Sequence, residues 1–146
     1  MRELSKEEID HVLTNVREGI LALSDGKQPY CIPLAFIYVN DTVYISFFPK
    51  GRKWEVFQKN NLVCFNAFGW NSDGTGWISV IIDGEMTVVK DLGEIEDMVR
   101  GNIEKMGYNS DTYLQKRMEY YSRTIDKPEA LKILKINISK IGGRRS

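Results

Sequence analysis

The stretch Trp77–Lys90, WISVIIDGEMTVVK, constrains this chain more than any other. It reads as a single strand, yet it far exceeds the ~5–6 residues of an ordinary one. Only Asp83-Gly84 interrupts it, and that pair marks a bulge or bend. A long strand bent at a glycine is how a small sheet curls into a barrel. The other apolar runs of the chain must then pair beside it.

They are spaced for that purpose. Ser5-Lys6-Glu7-Glu8 is a capping box with Leu4 and Ile9 as its hydrophobic staple, and Ile9, Val12, Leu13 and Val16 continue as a helical stripe ending near Arg17. Ile20–Leu23 is a short strand and Ser24–Lys27 a turn. Tyr30–Val39 reads as one apolar strand covered on both faces, with Pro33 marking a bulge or an edge position. Asn40-Asp41 is a tight hairpin turn into the next strand. Asn60-Asn61 stops a short helix, Leu62–Phe68 is a strand, and Gly69–Gly76 a loop. Beyond Lys90, Asp91–Glu94 caps a helix with the stripe Leu92, Ile95, Val99, Ile103 and Met106. A further helix spans Ser110 to about Arg123, with Tyr113, Leu114, Met118 and Tyr121 on its apolar side. Thr124–Glu129 is a loop. Ala130–Ile141 is a last strand, with Leu134, Ile136 and Ile138 inward, before a tail, Gly142–Arg145.

The order is therefore helix, three strands, helix, two strands, two helices, strand. Closely spaced strands favour antiparallel hairpins over βαβ crossovers. The expected fold is mainly β, α+β in class: one domain over residues 1–146, a small antiparallel barrel with helices at its rim.

Charge narrows the function. The 20 Lys+Arg balance 20 Asp+Glu, which argues against a nucleic-acid partner. Trp70, Trp77 and Phe68 are of the type that stacks bases in an oligonucleotide-binding barrel, but no basic excess accompanies them. No apolar run reaches the ~20 residues of a membrane span, and Met1–Lys6 runs into a charged helix with no signal peptide. Cys31 and Cys64, isolated in apolar runs, are expected to be buried free thiols, as suits a reducing cytoplasm. His11 lies off its helix stripe, and with no CxxC no metal site is expected.

One corner stands out chemically. In Asp41–Phe57, DTVYISFFPKGRKWEVF, Val43, Ile45 and Phe47 alternate with Thr42, Tyr44 and Ser46, as in a half-buried strand. Pro49 and Gly51 break the pattern, and Arg52-Lys53 opens a short helix. Two cations there oppose the helix dipole at about 0.3–1 kcal/mol each when exposed, and a bound anion reverses that sign. These residues fit solvated charges beside Glu55 as well as they fit a phosphate site.

Tyr30–Tyr38, YCIPLAFIY; Val43–Ser46, VYIS, leading to Gly51-Arg52-Lys53; Trp77–Val80, WISV, ahead of Asp83-Gly84; and Gly143-Arg144 together resemble the FMN-binding split-barrel superfamily. That group holds the pyridoxamine 5'-phosphate oxidases and the nitroimidazole-resistance-like flavoproteins, and the resemblance covers residues 4–144. It implies FMN as cofactor and a homodimer with the cofactor at its interface. It implies that Arg52 and Lys53 grip the flavin phosphate, and that Ser46 and Phe47 lie along the ribityl chain and ring. It implies further that the backbone of Pro33, Leu34, Ala35 and Phe36 borders the isoalloxazine, and that Ser79 and Arg144 approach the cofactor.

The chain departs from the nitroimidazole-resistance-like pattern, Tyr-x-His-x-Ala, by Ser46 in place of His and Phe48 in place of the small residue. Activity that depends on that histidine is not implied, nor is pyridoxamine phosphate as substrate. No Ser/His/Asp, Cys/His or paired-carboxylate constellation is evident, so no catalytic residue is assigned. A flavin oxidoreductase carries its chemistry in the cofactor, and the expected function is of that kind, on a small organic substrate. A deazaflavin-dependent reductase of the same fold and a non-catalytic flavin-binding module are the alternatives.

Overall fold

The computed structural model describes residues 1–146. In chain order the elements are β1 (Arg2–Glu3), α1 (Lys6–Asn15), β2 (Glu18–Ser24), β3 (Pro29–Ala35), β4 (Ile37–Val39), β5 (Thr42–Phe47), α2 (Gly51–Lys59), β6 (Leu62–Trp70), β7 (Trp77–Val88), α3 (Leu92–Met106), α4 (Ser110–Thr124) and β8 (Lys132–Arg145). All pairings are antiparallel, in the order β3-β2-β6-β7-β8-β5-β4, with β1 added to the end of β8. The sheet curls into a split barrel flanked by four helices, as the long strand demanded.

Local chemistry explains most boundaries. Ser5 Oγ accepts from Glu8 N–H while the Glu8 carboxylate accepts from Ser5 N–H, completing the capping box. Asn40 and Asp41 hold φ of 53° and 56°, the left-handed pair a two-residue hairpin needs. Asp91 caps α3 through Glu94 N–H.

Four expectations need correction. Tyr30–Val39 is not one strand: it breaks at Phe36, and its halves pair with different neighbours, β3 with β2 and β4 with β5. Phe36 leaves the ladder because its ring drops into the core, 2% exposed and 5.0 Å from the Phe65 ring, while its N–H reaches Arg17 O. The chain thereby crosses from one edge of the sheet to the other, forming the seam of the barrel. Nor is β3 covered on both faces, since Pro29, Cys31, Pro33 and Ala35 are exposed. Pro33 takes the edge alternative: β3 ends the sheet and its register with β2 is unbroken.

The Gly142–Arg145 segment is strand rather than tail, pairing with β7 and β1. A Cβ at Gly143 would meet Leu4 Cδ1 at 2.7 Å and Ile9 Cγ1 at 3.2 Å, so glycine lets these two side chains pack directly on the strand. The irregularity at Asp83-Gly84 is present, but the extra residue lies in β8: Asp83 faces Lys140 and Gly84 faces Ile138, leaving Ser139 to donate to Asp83 O at 3.0 Å. The cysteines are free, yet Cys31 is exposed and Cys64 half-buried, because both sit beside Ala22 on the outer sheet face rather than the core face.

Two cores result. The first fills the curl of the sheet beneath α1 and α2, with Leu13, Leu21, Phe65, Val80, Ile82 and Leu134 at its centre. The second, including Tyr44, Ile95, Val99, Tyr121 and Ile133, glues α3 and α4 to the other face of β5 and β8. Consequently β5 is enclosed on both sides, and Ser46 is its one exposed residue.

Candidate functional site

Two features lie on either side of the end of β5. The first is the start of α2, where the N-cap is Lys50, with no side-chain hydrogen bond, and the first turn carries Arg52 and Lys53 but no acid. Gly51 holds φ of +81°, which turns the chain from Phe48-Pro49 into the helix. None of the three cations joins an ion pair, so Glu55 does not neutralise them. Each rests on an aromatic ring instead: Arg52 4.4 Å from the centre of Tyr30, Lys53 5.6 Å from Phe47, and Lys50 5.6 Å from Phe48. Free helix N–H groups and three unpaired cations give the donor set an anion requires.

The second feature is a cleft of about 180 Å³ between the seam and the α3–α4 pair. Ala35, Phe36 and Ser46 line one side, and Met98, Asn102, Tyr113, Arg117 and Tyr121 the other. Tyr44 also borders it, but its hydroxyl is engaged, donating to Glu94 at 2.7 Å, and Glu94 is held by Lys135 at 3.0 Å. Burial and the neighbouring Glu94 push the Tyr44 phenol above its ordinary pKa. Behind the seam, Lys105 donates to Phe36 O at 2.8 Å, and burial lowers its pKa to about 8.

The residues singled out in the sequence divide among these places. Ala35, Phe36 and Ser46 share the cleft, while Arg52 and Lys53 share the helix start. Pro33 is exposed on the edge strand and Leu34 packs partly on the core. The Phe47 side chain is buried against Trp54 and does not share the exposed position of Ser46. Ser79 and Arg144 are register partners in a separate open groove of about 710 Å³, with Glu3, Ile81, Asp83 and Lys140. Within one chain they do not join the seam cleft.

Arg117 and Asn102 were not singled out. The 113-117-121 spacing stacks Tyr113, Arg117 and Tyr121 on one helical face, a signal that could have marked the arginine. His11 lines neither groove; it is exposed on α1, within 3.3 Å of the Asn15 amide.

Comparison with known proteins agrees with this architecture. The family model described as pyridoxamine 5'-phosphate oxidase matches residues 5–145. No curated protein matches the chain at a significant level. Among solved structures, an FAD-binding protein from Mesorhizobium loti is 27% identical with a TM-score of 0.67, covering 99% of this chain and 97% of that one. A candidate 5-nitroimidazole antibiotic resistance protein from Bacteroides thetaiotaomicron is 19% identical, TM-score 0.72, covering 99% and 86%. The FAD-binding protein from Mycobacterium smegmatis is 18% identical, TM-score 0.68, covering 99% and 98%. No helix of the chain is long and apolar enough to cross a membrane.

Proposed function

Since the chain belongs to the pyridoxamine 5'-phosphate oxidase family, we propose that it is a flavin-binding oxidoreductase acting on a small organic substrate. The observation that carries this reading is the unpaired Lys50, Arg52 and Lys53 at the open start of α2. A flavin phosphate supplies the missing negative charge, and charge-assisted bonds of this kind hold it in place. The ring then lies toward the backbone of Pro33–Phe36 and Ser46. A bound flavin supplies electron transfer; the protein binds and orients it.

FMN is the proposed cofactor. FAD is the second reading, favoured by the two FAD-binding relatives, and it presents a phosphate to the same cations.

The proposed assembly is a homodimer. The outer face of β2, β6 and β7 exposes Ile20, Phe68, Trp70 and Ile81, with Trp70 at 62% and Ile81 at 52%. Ile20 and Ile81 flank Asn66 in one row across the three strands. An apolar face of this kind is what a two-fold contact covers, and it lies beside the groove holding Ser79 and Arg144. Those two residues therefore serve the partner's cofactor rather than their own. The free cysteines fit a cytoplasmic setting.

The absorption spectrum of the purified protein, followed by mass identification of the released ligand, tests the proposal. An oxidised flavin spectrum with FMN released supports it, and a deazaflavin spectrum or failure to take up any flavin overturns it. Reoxidation of the reduced protein by candidate acceptors separates an enzyme from a carrier.

A further inference from the structure

The polar groups of the seam cleft are one-sided. Arg117 donates from Nη2 to the Tyr121 hydroxyl oxygen at 2.6 Å, and its guanidinium lies 4.9 Å from the Tyr121 ring centre and 5.3 Å from that of Tyr120. It belongs to none of the ion pairs. The Tyr121 hydroxyl thus accepts from Arg117 while its own proton finds no acceptor in the protein. Tyr113 is placed alike, accepting from Asn102 Nδ2 at 3.0 Å and donating to nothing. No Asp or Glu lines the cleft. The carboxylate nearest in bonding, Glu94, is already occupied by Tyr44 and Lys135.

A guanidinium and two phenol protons lacking an acceptor call for an anion. The rest of the lining, Met98, Val99 and Ile133, calls for an apolar body. Size limits that body: about 180 Å³ is close to the roughly 150 Å³ cavity that holds a benzene ring. The planar fork of Arg117 pairs bidentately with a carboxylate, and its one positive charge balances the single charge of that group, whereas a phosphate dianion would bring a second charge with no cation in the lining to meet it.

We propose that this cleft binds a one-ring aromatic carboxylate, with Arg117 and Tyr121 on the carboxylate and Met98 and Val99 on the ring. As the substrate class of the flavin site the assignment rests on the proposed function, because Ala35 and Ser46 border both ligands.

Benzoate titrated calorimetrically into the full chain, as purified and after flavin loading, tests it, with benzyl alcohol and phenyl phosphate as comparison ligands. One benzoate per chain is expected, bound more tightly than either comparison ligand. Arg117→Met should weaken benzoate at least tenfold and leave benzyl alcohol unchanged. Val99→Phe, which fills the cleft with Arg117 intact, should abolish both, and it carries the test if the Arg117 variant fails to fold. No benzoate binding to either form, equal binding by Arg117→Met, or preference for phenyl phosphate overturns the proposal. Flavin uptake without benzoate binding removes this inference alone. Arginine-dependent benzoate binding without flavin uptake sustains the pocket and removes the flavin reading.

Discussion

The Lys105 ammonium lies 2.8 Å from the carbonyl oxygen of Phe36 and 4.0 Å from the centre of the same residue's ring. A cation on α3 thus holds the point where the sheet's two edges meet. No carboxylate pairs with it, although Glu18 favours its charged form and Arg17 opposes it. Burial is the larger influence, bringing its pKa from 10.5 to about 8. Between those values the unfolded chain holds a proton that the folded chain does not, so stability rises with pH across the window. Below about pH 8 the folded state bears the full desolvation cost of the ammonium. The urea midpoint of the native protein should therefore gain on that of Lys105→Met between pH 7 and pH 10. A constant difference across that range contradicts this.

Arg52 bears on the cofactor. Its charge-assisted contact to a phosphate is worth roughly 1.5–3 kcal/mol, so Arg52→Ala should weaken FMN about tenfold or more. Riboflavin, lacking the phosphate, should bind almost as before. Because Arg52 also covers the Tyr30 ring, the riboflavin titration is the control for general damage. Equal losses for both ligands would remove the phosphate assignment.

Ser46 does not titrate near neutral pH, and the only histidine is exposed on α1, outside both grooves. Turnover with an artificial acceptor should accordingly be nearly flat between about pH 6 and 8. Ser46→Ala should cost on the order of 1 kcal/mol in flavin affinity and change turnover little at saturation. A steep profile centred near pH 6.5 that vanishes in His11→Gln would falsify this.

Ile81 occupies the middle of the exposed apolar face, between Asn66 and Gly142 in register. The native chain should sediment at twice its 16.8 kDa mass, and Ile81→Lys should shift it toward the monomer and weaken flavin binding with it. A native 16.8 kDa monomer retaining stoichiometric flavin excludes the interface site.

Features set by neighbouring residues were legible in the sequence. The α1 capping box, the Asn40-Asp41 turn, the Asp91 cap and the Arg52-Lys53 corner each depend on side chains within a few positions. The break at Phe36 was not legible, because Arg17, Phe65 and Lys105 decide it from remote parts of the chain. The strand character of Gly142–Arg145 was hidden similarly, since Leu4 and Ile9, which pack against Gly143, lie at the other end of the chain. Cys31 and Cys64 lie in apolar runs, but strand alternation turned them outward. Arg117 was obscured by the apolar stripe around it; only the fold shows that Tyr113 and Tyr121 border a cleft rather than a closed core.

The β7–β8 ladder runs from Val88 opposite Leu134 to Ile78 opposite Arg145, with the whole α3–α4 hairpin between its strands. Loop-closure entropy must be overcome before any of these pairs can form. Since β8 also joins β5 and β1, its arrival is a kinetic gate: the early hairpins and the helical pair can exist before it, but the closed barrel cannot. Refolding by dilution from denaturant should be a matter of milliseconds to seconds, as for topologies dominated by distant pairings, and not of microseconds. Until that gate is passed, the outer edges of β5 and β7 remain unpaired, and crowded refolding should lose material to aggregation there.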